Sequence, residues 1–147
     1  MSEHPLTGLI PGFHHPSYHA GITNAFAEVV GAGCKKLALS DTYDETMARA
    51  LHKATLYAVK KYNVKVMVEK ELIKTKLFPE DIAEGKTVYL IAHDEKVLEE
   101  YLELKRLKED SERQGRPAAL EEQIARRFGA LLSYDEATIT RLLNRHN

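Results

Sequence analysis

Lys36-Leu37-Ala38-Leu39-Ser40-Asp41-Thr42-Tyr43-Asp44-Glu45 is the stretch on which the fold turns, an apolar run that gives way to residues suited to starting a helix. Lys36 to Ser40 reads as a strand, and Thr42 and Glu45 have the spacing of a capping box, so a strand leads directly into a helix. Met47, Leu51, Ala54, Ala58 and Tyr62 recur every three or four residues, the stripe of a helix whose small alanines let it lie close on a sheet. Asn63 ends that helix. Val64-Lys65-Val66-Met67-Val68 alternates and is rich in β-branched residues, completing a β-α-β unit. The handedness rule predicts that its two strands are parallel and its crossover right-handed.

Working outward, Thr87 to Ala92 is the most apolar β-like run and reads as a buried strand. His93 and Asp94 follow it, with Asp94 as the N-cap of a helix that begins near Glu95. Between the second and third of these strands, Pro79-Glu80-Asp81-Ile82 reads as a helical turn closed by Gly85. Upstream, Leu6 to Ile10 reads as a first strand broken by Pro11-Gly12, and Ile22, Ala25, Phe26, Val29 and Val30 form a helical stripe ending at Gly31 and Gly33. The order β-α-β-α-β-turn-β-α predicts an α/β fold with an open, mostly parallel four-stranded sheet flanked by helices.

From Glu95, Val97, Leu98, Tyr101, Leu102, Leu104 and Leu107 mark a long helix that runs into a charged stretch, Lys108 to Arg116, read as an exposed end and loop. Pro117 opens a helix carrying Leu120, Ile124, Phe128 and Leu131, and Ser133-Tyr134-Asp135-Glu136 caps a last one with Ile139, Leu142 and Leu143. Residues 1–115 therefore form an α/β core, and 116–147 a helical appendage of the same domain. Its apolar side chains require the core, or another subunit, to cover them, which makes a homo-oligomer the expectation.

The 147 residues carry 21 Lys plus Arg against 22 Asp plus Glu and one Cys. A balance so near neutrality argues against a nucleic-acid or anionic-membrane partner. The lone Cys34 cannot form an internal disulfide, and no membrane-length apolar run or secretory signal is visible, so the expected location is cytoplasmic. The charges are unevenly spread: residues 1–34 hold no Lys or Arg, yet four of the seven His. Dinucleotide, nucleoside-triphosphate, nucleophile-elbow, paired-Cys and His-Glu-x-x-His signatures are all missing. The helix–Gly31-Ala32-Gly33-Cys34–strand pattern of Asn24 to Ser40 resembles stretches of several nucleoside- and purine-metabolising α/β enzymes, over too little of the chain to transfer any residue's role.

In open parallel sheets, ligands bind beyond the carboxyl ends of the strands, where helix N-termini point. Those ends give His14, His15, Ser17, Tyr18 and His19 after the first expected strand, Ser40, Asp41 and Tyr43 after the second, Glu69 and Lys70 after the third, and His93 and Asp94 after the fourth. The expected proton-transfer residues are His15, His19, Asp41, His93 and Asp94, and the expected ligand-binding residues His14, Ser17, Tyr18, Ser40, Tyr43, Glu69 and Lys70. Pro16 suits the first turn of a helix capped by His15 or Ser17, and a helix N-terminus keeps a nearby imidazole neutral and able to act as a base. No cofactor is required. A divalent metal on His15, His19 and Asp41 or His93 is a second reading, weakened because Pro16 disturbs the helical spacing.

Blander roles stand beside these. His14, His15 and His19 are residues that also serve as turn and capping groups, Asp41 and Asp94 are good helix caps, and Tyr18 and Tyr43 serve equally as rim packing. His52 falls on a packed helix face, His146 in a fraying tail, and Cys34 at the wrong edge for the crevice. Three functions follow: a small-molecule hydrolase, lyase or isomerase acting on a polar, nucleotide-like or phosphorylated metabolite; a ligand-sensing or sequestering protein with the same pocket; or an interaction protein working through the appendage.

Overall fold

The computed structural model describes residues 4–145. Five helices and three strands follow in the order α1 (His15–Gly31), β1 (Leu37–Leu39), α2 (Glu45–Tyr62), β2 (Lys65–Glu69), β3 (Val88–Ala92), α3 (Glu95–Arg113), α4 (Ala118–Leu131) and α5 (Glu136–Arg145). His146 lies outside the described residues.

The sheet corrects the expected one in strand number and direction. It has three strands in the order β1-β3-β2, and β3 is antiparallel to both neighbours. Because β1 and β2 both oppose β3, they point the same way, and α2 is the crossover between them; β3 occupies the place between them instead of extending a parallel sheet. The connection from β2 to β3 explains the direction. A parallel neighbour needs a crossover, usually helical, whereas residues 70–86 hold only turns and irregular chain, closed by bonds such as Ile82 N–H to the Pro79 carbonyl at 3.1 Å. The chain therefore doubles back beside β2. The expected first strand is also absent: Leu6 to Ile10 is a run of turns, with the Leu9 and Ile10 N–H groups both donating to the Leu6 carbonyl.

β3 is buried along its whole length, and its alternating side chains serve two layers. Val88, Leu90 and Ala92 join Tyr101, Phe128, Ile139 and Leu143 in the core against α3, α4 and α5. On the opposite face, Ile91 meets Ala27, Val30 and Ala58 of α1 and α2, and Tyr89 meets Leu51 and Tyr43. The appendage thus packs on its own core.

Short-range chemistry sets the helix ends. α2 is capped by Asp44, which accepts the Met47 N–H at 2.8 Å, not by Thr42, and it ends at Asn63 in the left-handed region. Asp94 caps α3 through the Val97 N–H at 3.1 Å. Asp135 accepts the Thr138 N–H at 2.7 Å, which frees Ser133 to accept the Lys36 N–H at 2.9 Å and tie the α4–α5 turn to the start of β1. The charged end of α3 is a second correction. The helix continues to Arg113, and Lys108 and Ser111 are buried because they extend the Val97–Tyr101–Leu104 stripe at helical spacing.

Gly31 ends α1 where it meets the end of α2, and an added Cβ there would lie 2.8 Å from the Tyr62 carbonyl oxygen. Gly21, mid-helix in α1, faces open space. Chemical denaturation should find Gly31→Ala destabilising by about 1–3 kcal/mol and Gly21→Ala stabilising by about 0.5–1 kcal/mol. Equal effects of the two substitutions would contradict the close α1–α2 contact.

Candidate functional site

The first turn of α1 gathers the amino-terminal imidazoles. The N-cap is His14: its Nδ1 accepts the Ser17 N–H at 3.3 Å and lies 2.6 Å from Ser17 Oγ, which occupies both side chains in local capping. Pro16 sits within the first turn, and from there His15, Tyr18 and His19 rise into a nest of rings. Phe13 and His15 are 4.7 Å apart at their centroids, His4 and His15 5.4 Å, Tyr18 and His19 5.1 Å, and His19 and Tyr43 5.2 Å. Tyr43 arrives from the loop after β1 and is held by paired backbone bonds with Thr87.

His19 and Tyr43 are buried, and His19 Nδ1 lies 3.4 Å from Tyr43 Oη. Burial pulls the His19 imidazole below its usual 6.5, a shift that Asp41 opposes by attraction and His4 and His15 reinforce by repulsion. Burial, with the negative charge of Asp41, pushes the Tyr43 phenol up to about 12. The pair is therefore a neutral imidazole beside a phenol that keeps its proton. Asp41 itself is exposed and accepts the Thr42 N–H at 2.8 Å. Ser40 is used by the sheet, since its Oγ accepts the Tyr89 N–H at 2.8 Å and donates to the Asp41 carbonyl at 2.7 Å. His15 is half-buried, with Nε2 3.4 Å from Thr7 Oγ1.

The antiparallel β3 divides the remaining expected residues between the two ends of the sheet. Ser40 lies beside the start of β3, whereas the His93 N–H donates to the Lys36 carbonyl at 2.9 Å at the other end. His93 and Asp94 are exposed there, 3.2 Å apart, and cannot act with His19. Glu69 lies at the His19 end but on the α3 side of the sheet, where it accepts Tyr101 Oη at 2.8 Å, Lys105 Nζ at 2.9 Å and the Glu71 N–H at 3.0 Å. Burial pushes the Glu69 carboxyl up, and these bonds outweigh it, leaving the group below its usual range. Among the described residues, no three His, Cys, Asp or Glu side chains converge as a metal site. No described helix is long and apolar enough to cross a membrane.

Two cavities lie in the α3 layer. One, of about 560 Å³, opens between residues 70–85 and α3, with Lys70, Ile73, Lys74, Ile82 and Lys105 in its wall. Another, of about 650 Å³, is bounded by Lys76, Phe78, Arg116 and Glu121. Between them runs a charge network missed in the sequence: buried Glu121 binds Lys108, Ser111 at 2.8 Å and Arg116 at 3.2 Å, and Arg116 reaches on to Glu80. The signal was the helical spacing of Lys108 and Ser111, overridden by their residue type. No protein-family model matches the chain, and no curated protein or solved structure matches it.

The network makes testable demands. Burial pushes the Glu121 carboxyl up, but the bonds from Lys108, Ser111 and Arg116 hold it below its usual 4.5. Its stabilising contribution is full above 4.5 and is lost as pH falls through the lower folded value; the depressed His19 likewise loses stability once pH drops below 6.5. Glu121→Leu should cost about 3–5 kcal/mol, and adding Lys108→Met should recover much of it. In urea titrations, additive losses in the double variant would mean the two charges are uncoupled.

Proposed function

We propose that the chain is a small-molecule enzyme performing proton transfer beside the start of α1. His19 takes up the proton, Tyr43 holds its ring, Asp41 stabilises the imidazolium that forms, and His15 is the complementary acid. The observation that carries this reading is the buried His19–Tyr43 pair with the Asp41 charge beside it. If Nδ1–H is the tautomer that donates to Tyr43, Nε2 is left bare as the base, the usual division of labour in an oriented histidine. Catalytic contacts are commonly long before substrate binds, so 3.4 Å is compatible with such a role.

The surroundings narrow the substrate. With no Lys or Arg in residues 1–34 and a carboxylate nearby, nothing in this segment forms a cationic clamp. An uncharged or cationic polar metabolite fits better than a polyanion, and the half-buried rings of Phe13 and Tyr18 suit a planar group. Hydrolysis, elimination and isomerisation all remain within this proton-transfer class. The second reading, ligand binding without turnover, is favoured by the cleft at residues 70–85, whose roughly 560 Å³ falls within the usual range for ligand pockets.

A thermal-shift screen against polar metabolites, followed by turnover assays on the hits, separates the two readings. His19→Gln should lower turnover by about 10²–10⁴-fold while the fold survives. Stabilisation lost in Lys70→Glu but retained in His19→Gln, without turnover, would instead support binding at the cleft. By NMR, Asp41→Asn should move the His19 titration further down. An unmoved titration would remove Asp41 from the site.

A further inference from the structure

We propose that a second copy of this chain docks on the open edge of β2, joining the two sheets about a two-fold axis at Met67 into one continuous antiparallel sheet. This does not depend on the proton-transfer reading. In the order β1-β3-β2, only one side of β2 is paired, and no other described strand takes its outer edge. The opposite edge is less available: β1 is three residues long, and the Lys36 N–H that leads into it is taken by Ser133. Unprotected edges invite pairing, and proteins usually block them with charges, proline or a bulge. The middle of β2, Val66-Met67-Val68, carries none of these.

Three of the apolar side chains left in solvent belong to β2 and to the helices that lie over and under it. Val68 is 46% exposed on β2 itself, on the α2 side of the sheet. α2 lies over β2 while α1 lies over β1 and β3; Leu56, 45% exposed, lies on α2 away from its buried Leu51–Ala58 face. Below the sheet, Leu102 is 41% exposed and shares a face of α3 with Lys105, which reaches Glu69 at the end of β2. The unpaired strand therefore carries one uncovered apolar side chain, and the helix above it and the helix below it each carry another.

The occupant follows from the order of residues along β2. An antiparallel pairing centred on Met67 sets Lys65 opposite Glu69 of the partner subunit, and Val66 opposite the partner's Val68. β-branched side chains pair on both sides of the axis, and residues of opposite charge fall at both ends, where Glu69 also keeps its own Lys105 and Tyr101. The strand is thus complementary to a reversed copy of itself. The flanking helices of the two copies meet across the axis and supply the rest of an interface, which for a stable dimer is roughly 800 Å² on each side.

Sedimentation velocity on the full chain should give a mass twice the 16.6 kDa of one chain. Val68→Lys on the strand, and separately Leu56→Glu on α2, should each weaken the dimer at least tenfold with the far-ultraviolet circular dichroism unchanged. In a Cys34→Ser background, Met67→Cys should form an intermolecular disulfide on mild oxidation, because residue 67 meets its own copy at the axis. A monomer throughout, or a dimer that persists in both charge variants and does not cross-link at residue 67, overturns the proposal.

Discussion

The structure depends on one strand, Val88-Tyr89-Leu90-Ile91-Ala92. It is buried along its length and paired on both sides, so its backbone groups are satisfied only if β1 and β2 lie against it. Its alternation divides the molecule: Val88, Leu90 and Ala92 hold α3 to α5, while Tyr89 and Ile91 hold α1 and α2. A charge introduced here would strand an unpaired group between two layers, with no route to solvent.

The direction of that strand also determines which polar residues can work together. With β3 antiparallel, the loop after β1 and the residues before β3 share one end of the sheet, so Ser40, Asp41 and Tyr43 gather near His19. His93 and Asp94 go to the other end, as a ring and a helix cap. The same end of the sheet has two chemically different sides. Above it, imidazoles and phenols meet with no Lys or Arg from their own segment; below it, Glu69, Lys105, Glu121 and Lys108 form ion pairs that tie the end of β2 to α3 and α3 to α4.

The strands β1, β2 and β3 and all five helices are legible in the sequence because each carries its own period or cap. Strand direction is not a local property. The usable signal was the stretch between Glu69 and Thr87, which has no helical period and so cannot supply a crossover helix. Leu6 to Ile10 misled by composition: the run is apolar but stops at Pro11-Gly12 after five residues, and Leu9 and Ile10 are exposed. The neighbourhood of His19 and Tyr43 was readable from the density of His and Tyr. The exclusion of His93 and the burial of Glu121 were not, since each depends on what another element brings to the same place, whereas Lys108 lay on the buried stripe of α3 all along.

The central claim is the polarity of the sheet, and nuclear Overhauser contacts between backbone α-protons test it most directly. Antiparallel pairing predicts close α-proton contacts from β3 to both β1 and β2 at the non-hydrogen-bonded pairs Leu39–Leu90 and Val66–Ile91. A parallel pattern of contacts between β3 and its neighbours, α-proton to amide proton with no close α-proton pairs, would contradict it and would bring His93 back to the end of the sheet where His19 lies.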